Sequence, residues 1–100
     1  MKHLLHVSLF SVRPPKALVE SLESVFATAD DWMRYAPNCW LLWTSQDVAF
    51  WATKVKAEFL KDDESLFVCR IDPTGMTQGW LQPWMWDWIN KHIREASKWS

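Results

Sequence analysis

The stretch WMRYAPNCWLLWT, residues 32–44, decides the fold of this chain, because it can form either one strand or two. Its first part contains Trp32 and Tyr35, which favour extended structure. The dipeptide Pro37-Asn38 in its middle is typical of a turn. The last six residues, CWLLWT, again have the composition of a strand. The sequence therefore leaves two interpretations open, a tight hairpin or a single long strand with a kink at Pro37.

A first strand is predicted near the N-terminus, in LLHVSLF, residues 4–10. Its side chains alternate in character, so the strand should present two different faces. One face consists of Leu5, Val7 and Leu9. His6 falls on the other face, beside Leu4 and Phe10, where a histidine is usually packed or hydrogen-bonded. We interpret this segment as a strand and not as a signal peptide, because His6 and Ser8 interrupt its apolar run.

Two amphipathic helices are predicted, one before and one after residues 32–44. The segment RPPKALVESLESVFAT can begin a helix at Pro14-Pro15. Its apolar stripe consists of Leu18, Val19, Leu22, Val25 and Phe26. The second helix ends near residue 60, and Thr44 and Asp47 before it have a spacing similar to that of a capping box. Its apolar stripe consists of Val48, Trp51, Ala52, Val55 and Phe59.

The C-terminal part of the chain predicts one more strand and one more helix. LFVCRI, residues 66–71, is almost continuously apolar, which is typical of a central strand buried on both faces. The loop that follows holds both glycines of the chain, Gly75 and Gly79. Pro83 can occupy the first turn of a last helix that ends near residue 97. One apolar stripe of this helix consists of Met85, Ile89, His92, Ile93 and Ala96.

The predicted element order is βαββαβ followed by a helix, which indicates an α/β (α+β) fold. With right-handed crossovers, this order gives a ferredoxin-like sandwich with an additional C-terminal helix. That helix either packs on the open face of the sheet or extends towards a partner. The length of 100 residues corresponds to a single domain. Its core should span about residues 4–72, and the tryptophan-rich loop and last helix residues 73–100.

Composition and charge exclude some classes of function. A net charge of −1 and a pI of about 6.3 argue against a general nucleic-acid binder. Lys91, Arg94 and Lys98 are candidate nucleic-acid contacts, although a solvated helix end explains them better. No stretch is apolar over the about 20 residues that a membrane span needs. Cys39 and Cys69 lack metal-ligand spacing, so we expect buried free thiols in a cytoplasmic protein.

The nine tryptophans are candidates for both core and binding positions. We expect the core or its rim to hold Trp40, Trp43, Trp51 and Trp80. In the last helix, Trp84 and Trp88 lie four positions apart and should pack on the sheet, whereas Trp86 is rotated away by about 200°. An exposed tryptophan is typical of a binding hot spot. The candidate binding residues are Trp86 foremost, and with it Trp80, Trp84 and Trp88.

Taken together, the strand segment, the acidic turn and the tryptophan-rich segment resemble the small SinR-like proteins of bacteria. The residues that carry the resemblance are Trp32, Tyr35, Trp40, Asp62, Asp63, Gly79, Trp80, Leu81, Pro83, Trp86 and Trp88. That group is similar to VapD-like ribonucleases and to the small CRISPR-associated protein of the spacer-integration complex. The resemblance implies a ferredoxin-like fold and a homodimer.

The same resemblance bears on catalysis. The nuclease-competent relatives carry an acidic residue at the end of the first strand, where this chain has Phe10, Ser11 and Val12. Metal-dependent phosphodiester cleavage needs carboxylate oxygens that hold hard cations. The missing carboxylate therefore argues against catalysis.

Other candidate catalytic groups have little support from their spacing. Asp30 and Asp31 are adjacent carboxylates in a predicted turn, and a second acidic turn contains Asp62, Asp63 and Glu64. The three histidines, His3, His6 and His92, lack the spacing of a zinc site. We therefore expect no catalytic residue, no metal and no cofactor.

Two hypotheses about function follow. The first is a non-enzymatic interaction module that binds its own copy or a protein partner through exposed tryptophans. The alternative is a metal-dependent ribonuclease or nucleic-acid-binding protein of a toxin or phage-defence system, which would use Asp30, Asp31 or the second acidic turn.

Overall fold

The computed structural model of the protein describes residues 1–10, 16–58, 60–72, 75 and 77–97. The elements in these residues are β1 (His3–Phe10), α1 (Lys16–Phe26), β2 (Asp31–Ala36), β3 (Cys39–Thr44), α2 (Val48–Glu58), β4 (Ser65–Ile71) and α3 (Pro83–Ser97). This order confirms the predicted succession of strands and helices. Outside the described residues lie the predictions that concern Ser11, Val12, Pro14, Pro15, Phe59, Lys98 and the side chain of Leu18.

The four strands form one antiparallel sheet in the order β2-β3-β1-β4. The strand β1 is central, because it pairs with β3 on one side and with β4 on the other. Val7, for example, lies opposite Trp40 of β3 and opposite Val68 of β4. The protein is therefore a small α+β structure with an antiparallel sheet and helices packed against it.

Residues 32–44 form a hairpin, so the alternative of one kinked strand is wrong. Pro37 and Asn38 make the two-residue connection between the paired residues Ala36 and Cys39. The register shifts between Arg34 and Ala36, which indicates a bulge next to the turn. Proline with its fixed φ and asparagine are both common turn residues, so this dipeptide ends β2 and reverses the chain.

One face of the sheet packs against α1 and α2. The alternating residues Leu5, Val7 and Leu9 of β1 are all buried in this layer, as their period of two predicts. Trp40 of β3 lies fully buried among them, with its ring 5.4 Å from that of Phe26 in α1. The helices contribute Val19, Leu22, Phe26, Trp51 and Val55. The sequence-based assignment of Trp40 and Trp51 to the core is confirmed.

The opposite face of the sheet packs against α3. Leu4, Met33, Leu41 and Trp43 from the sheet form a second core with Ile89 and Ala96 of the helix. The strands therefore bury side chains on both faces near their middle. Of the two alternatives for the C-terminal helix, packing on the sheet is correct.

The prediction that residues 66–71 form a central strand is wrong, because β4 is an edge strand. It pairs only with β1 in the described sheet, and all of its side chains are half-buried or exposed. Phe67 is 62% exposed, and it lies on the α3 side of the sheet opposite Ser8. A continuous apolar run does not distinguish an edge strand from a central one, because its composition carries no information about the neighbouring strands.

The start of α2 also differs from the prediction. Asp47 is itself the N-cap, since its Oδ1 atom accepts a hydrogen bond from the backbone N–H of Phe50 at 2.9 Å. Thr44 instead accepts a hydrogen bond from the backbone N–H of Gln46 at 3.0 Å. Val48 was expected in the buried stripe, but as the first residue of the helix it is exposed.

Within the part of the chain that the structure describes, no helix combines the length and apolar character needed to cross a membrane.

Candidate functional site

The tryptophan-rich segment before and within α3 carries the candidate binding residues. Pro83 is the first residue of the helix, as predicted, and the preceding Gln82 accepts a hydrogen bond from the backbone N–H of Met85 at 2.9 Å. Further along, α3 buries Ile89, His92 and Ala96. These residues recur at intervals of three and four, so they fix which side of α3 meets the sheet.

This orientation reverses the predicted roles of two tryptophans of α3, Trp84 and Trp86. Trp84 is 51% exposed and Trp80 is 95% exposed, although both were expected in or near the core. Trp86, which was expected at the surface, is half-buried and packs against the α3 side of the sheet. Trp88 is also half-buried there, as expected. Met85 and Ile89, four positions apart, face the sheet. Trp86 therefore lies at the edge of the buried side of the helix, and Trp84 points outwards.

Of the tryptophans that the structure describes, Trp80 and Trp84 have exposed side chains, and we call them the exposed tryptophan pair. The Nε1–H group of Trp84 donates a hydrogen bond to Oε1 of Gln82 at 2.9 Å, which orients this ring. Trp80 precedes the helix in a segment without regular secondary structure, so no periodicity predicts its direction. Large exposed apolar side chains are typical of an interaction surface. The binding role of Trp80 and Trp84 remains a prediction.

The cationic candidates lie on the outward side of the same helix. Lys91 and Arg94 are exposed, whereas Lys98 lies outside the described residues. Lys91 is seven positions after Trp84, so it faces nearly the same direction. Their role in nucleic-acid binding remains a prediction.

A cavity of about 150 Å³, which we call the α3 cavity, lies between α3 and the sheet. Its apolar lining consists of Leu41, Ile71, Leu81, Trp86 and Ile89. Polar side chains from three parts of the chain complete it, namely His6 of β1, Tyr35 of β2 and Thr77 of the loop after β4. Trp86 therefore lines this partly open cavity and not the outer surface of the helix. The sequence did not indicate this cavity, because its walls come from six separate parts of the chain, namely the four strands, the loop after β4 and α3.

The polar side of the α3 cavity consists of a hydrogen-bonded pair, His6 Nε2 and the hydroxyl group of Tyr35. Burial lowers the pKa of His6 below its ordinary value of 6.5. Burial, with a hydrogen bond to Cys39, raises the pKa of Tyr35 to about 12. Both side chains are therefore neutral near neutral pH. The sequence indicated that His6 would be packed or hydrogen-bonded, and the structure shows a hydrogen bond to Tyr35.

The two candidate catalytic carboxylates, Asp30 and Asp31, have different partners. Asp30 pairs with Lys2, with its Oδ1 atom 3.3 Å from the lysine Nζ atom. Asp31 Oδ2 accepts a hydrogen bond from Nε2 of His92 at 2.9 Å. His92 is only 3% exposed and lies between the rings of Trp43 and Trp88, at centroid distances of 4.7 Å and 4.5 Å.

The second acidic turn lies far from this carboxylate pair. The turn at Asp62, Asp63 and Glu64 leads into β4, whose first residue, Ser65, lies opposite Phe10. Asp31 lies opposite Trp43, near the other end of the sheet. The two acidic turns are therefore at opposite ends of the strands, and the fold does not bring them together. Among the described residues, no group of three or more acidic, histidine or cysteine side chains is arranged to hold a metal ion.

Comparisons of the chain with models of protein families, with curated proteins and with solved structures find no match.

Proposed function

We propose that this protein is a small, non-enzymatic interaction module that forms a homodimer through the exposed tryptophan pair. The observation that carries the proposal is the exposure of Trp80, 95%, directly before a helix whose first turn exposes Trp84 as well. Indole groups are among the side chains that contribute most to protein–protein binding. They also reduce solubility when they remain uncovered, which favours a partner that covers them.

The acidic and basic side chains beside the pair favour a second copy of this chain. Two largely exposed indoles can bury on the order of 300 Å² per protomer, whereas a standard interface buries about 800 Å² per partner. The outward side of α3 would supply the remaining area, including Asp87, Lys91 and Arg94, which are exposed. Acidic and basic side chains on one surface can pair across a twofold axis. The acidic group of each copy then meets the basic group of the other copy.

The finer assignment of fold and family belongs to the same proposal. The strand order β2-β3-β1-β4, with all neighbours antiparallel, supports a ferredoxin-like sandwich with α3 added on the open face. The resemblance to SinR-like proteins supports the homodimer. The free thiols of Cys39 and Cys69 support a cytoplasmic location.

Sedimentation velocity tests the homodimer. At tens of micromolar the unaltered protein should sediment as a dimer, and Trp80→Ala and Trp84→Ala should each weaken association by about 2 kcal/mol. Phe67→Ala is the matched control, since it removes an exposed aromatic side chain from another part of the surface. A monomeric unaltered protein, or a dimer equally stable in the two tryptophan variants, would rule out the proposal.

A second candidate is a nucleic-acid-binding protein or metal-dependent ribonuclease. The favouring observation is that Lys91 lies on the same side of α3 as Trp84, and aromatic stacking with a nearby cation is typical of single-strand binding. Short labelled RNAs, with and without Mg²⁺, test it by fluorescence anisotropy and by gel analysis of cleavage. Binding that weakens in Lys91→Ala supports binding alone. Cleavage that is lost in Asp31→Asn, while circular dichroism shows that the variant is folded, supports the nuclease. Absence of both activities excludes this candidate.

A further inference from the structure

The α3 cavity combines an apolar wall with a half-buried, hydrogen-bonded pair of polar side chains, which is the composition of a ligand site. An apolar cavity of about 150 Å³ can hold a benzene-sized molecule. The α3 cavity has this volume, and Trp86 contributes an aromatic ring to its wall. Aromatic ligands fit such a wall because rings contact one another favourably in offset or edge-on arrangements.

The His6–Tyr35 pair determines which polar group a ligand can bring. Tyr35 has one hydroxyl proton, and both His6 and Cys39 are within reach of it. If the proton is donated to either of them, the phenolic oxygen retains a lone pair that can accept a hydrogen bond. A ligand that supplies a donor would satisfy this lone pair. A ligand that supplies only an acceptor would leave both its own acceptor and the lone pair of Tyr35 without a hydrogen bond.

Charge restricts the ligand further. His6 and Tyr35 are neutral near neutral pH, and Thr77 is the remaining polar side chain among the described residues that line the cavity. A charged ligand would lose its hydration without gaining a counter-ion, which is strongly unfavourable.

We propose that the α3 cavity binds a small neutral aromatic molecule with one hydrogen-bond donor, of the phenol class, whose donor is recognised by the His6–Tyr35 pair. The site is separate from the exposed tryptophan pair, so the proposal does not depend on self-association.

Phenol and benzene serve as the probes, because they differ by the one hydroxyl group that the pair would recognise. The ¹⁵N-labelled protein is titrated with each, and amide shifts give the affinity and location. We expect phenol to bind with a dissociation constant on the order of 1 mM and to shift amides around His6, Tyr35 and Trp86.

The double variant His6→Leu, Tyr35→Phe removes both polar partners at once. Replacing both members of a hydrogen-bonded pair by apolar groups of similar shape can be nearly neutral for stability, so the fold should persist. We expect its phenol affinity to fall by about fivefold while its benzene affinity does not fall. If the double variant does not fold, Tyr35→Phe is measured in the same way. An equal change for both probes would overturn recognition by the pair.

Thr77→Trp tests the location, since Thr77 is exposed and a larger side chain there would obstruct the cavity without altering the core. Phenol binding should be lost in this variant. Binding that persists would place phenol elsewhere on the protein, and absence of binding to the unaltered protein would show that the cavity is not a site for this class. Either result overturns the proposal.

Discussion

His92 of α3 donates a hydrogen bond from Nε2 to the carboxylate of Asp31, the first residue of β2, at 2.9 Å. The bond joins residues 61 positions apart in the chain. The other ring nitrogen of His92, Nδ1, is buried without a hydrogen-bond partner among the described residues, and Oε2 of Glu95 lies 3.8 Å away. The bond to Asp31 therefore satisfies one of the two nitrogens of this buried ring and joins α3 to the start of β2.

Asp31→Ala should lower the free energy of unfolding by about 1–3 kcal/mol, because it leaves a buried donor of His92 unsatisfied. Asp31→Asn retains a side-chain oxygen that can accept the bond, so it should recover part of this loss. Asp30→Ala is the control, since the Asp30–Lys2 pair is exposed and such pairs contribute at most about 1 kcal/mol. Urea denaturation of the three variants measures these differences. Equal destabilisation by Asp30→Ala and Asp31→Ala would contradict a structural role for the His92 bond.

Trp86→Ala should destabilise the protein more than Trp84→Ala. Trp86 is half-buried against the sheet, and loss of its contacts should cost about 2 kcal/mol. Trp84 is 51% exposed and packs less, so its replacement should cost less than about 1 kcal/mol. Thermal melts at low protein concentration, where association is weakest, measure both effects. If Trp84→Ala melts lower than Trp86→Ala, the orientation of α3 described above is incorrect.

Stability should decline as the pH falls below about 6.5, and His6 should contribute to this decline. Burial lowers the pKa of His6 in the folded protein from 6.5, so the unfolded chain binds this proton more readily. Protonation of His6 therefore favours the unfolded state. The resulting loss of stability is absent above the pKa of the unfolded chain and grows as the pH falls below it. Melting temperatures at about pH 7.5 and about pH 5.5 measure the change. His6→Gln should reduce the difference more than the control His3→Gln, and an unchanged difference in His6→Gln would refute the prediction.

Asp47→Ala should destabilise α2 by about 1 kcal/mol, because it removes the N-cap that accepts the hydrogen bond of Phe50. Asp63→Ala is the matched control, since it removes an exposed aspartate from a turn. Urea denaturation followed by circular dichroism compares the two. An effect of Asp63→Ala as large as that of Asp47→Ala would show that loss of negative charge, and not loss of the cap, is responsible.

The local periodicity of the sequence predicted the elements and much of the first core. Leu5, Val7 and Leu9 alternate at the period of a strand, and Val19, Leu22 and Phe26 recur at the period of a helix, so both groups are buried as expected. Pro83 likewise predicted the first residue of α3. Each of these patterns involves residues only a few positions apart, so the local geometry of a strand or helix is sufficient to explain it.

The sequence by itself thus determined which segments become strands and helices, and where α3 begins. Only the tertiary structure decided that β4 is an edge strand, that Trp84 faces outwards while Trp86 faces the sheet, and that Asp31 meets His92. Strand neighbours, helix orientation and side-chain pairs across the fold depend on contacts between distant residues. The α3 cavity also depends on contacts between distant residues, since His6, Tyr35 and Trp86 come together only when α3 packs on the sheet. Periodicity reports the apolar stripes of a segment but not the surface that each stripe will meet, because that surface comes from the rest of the chain.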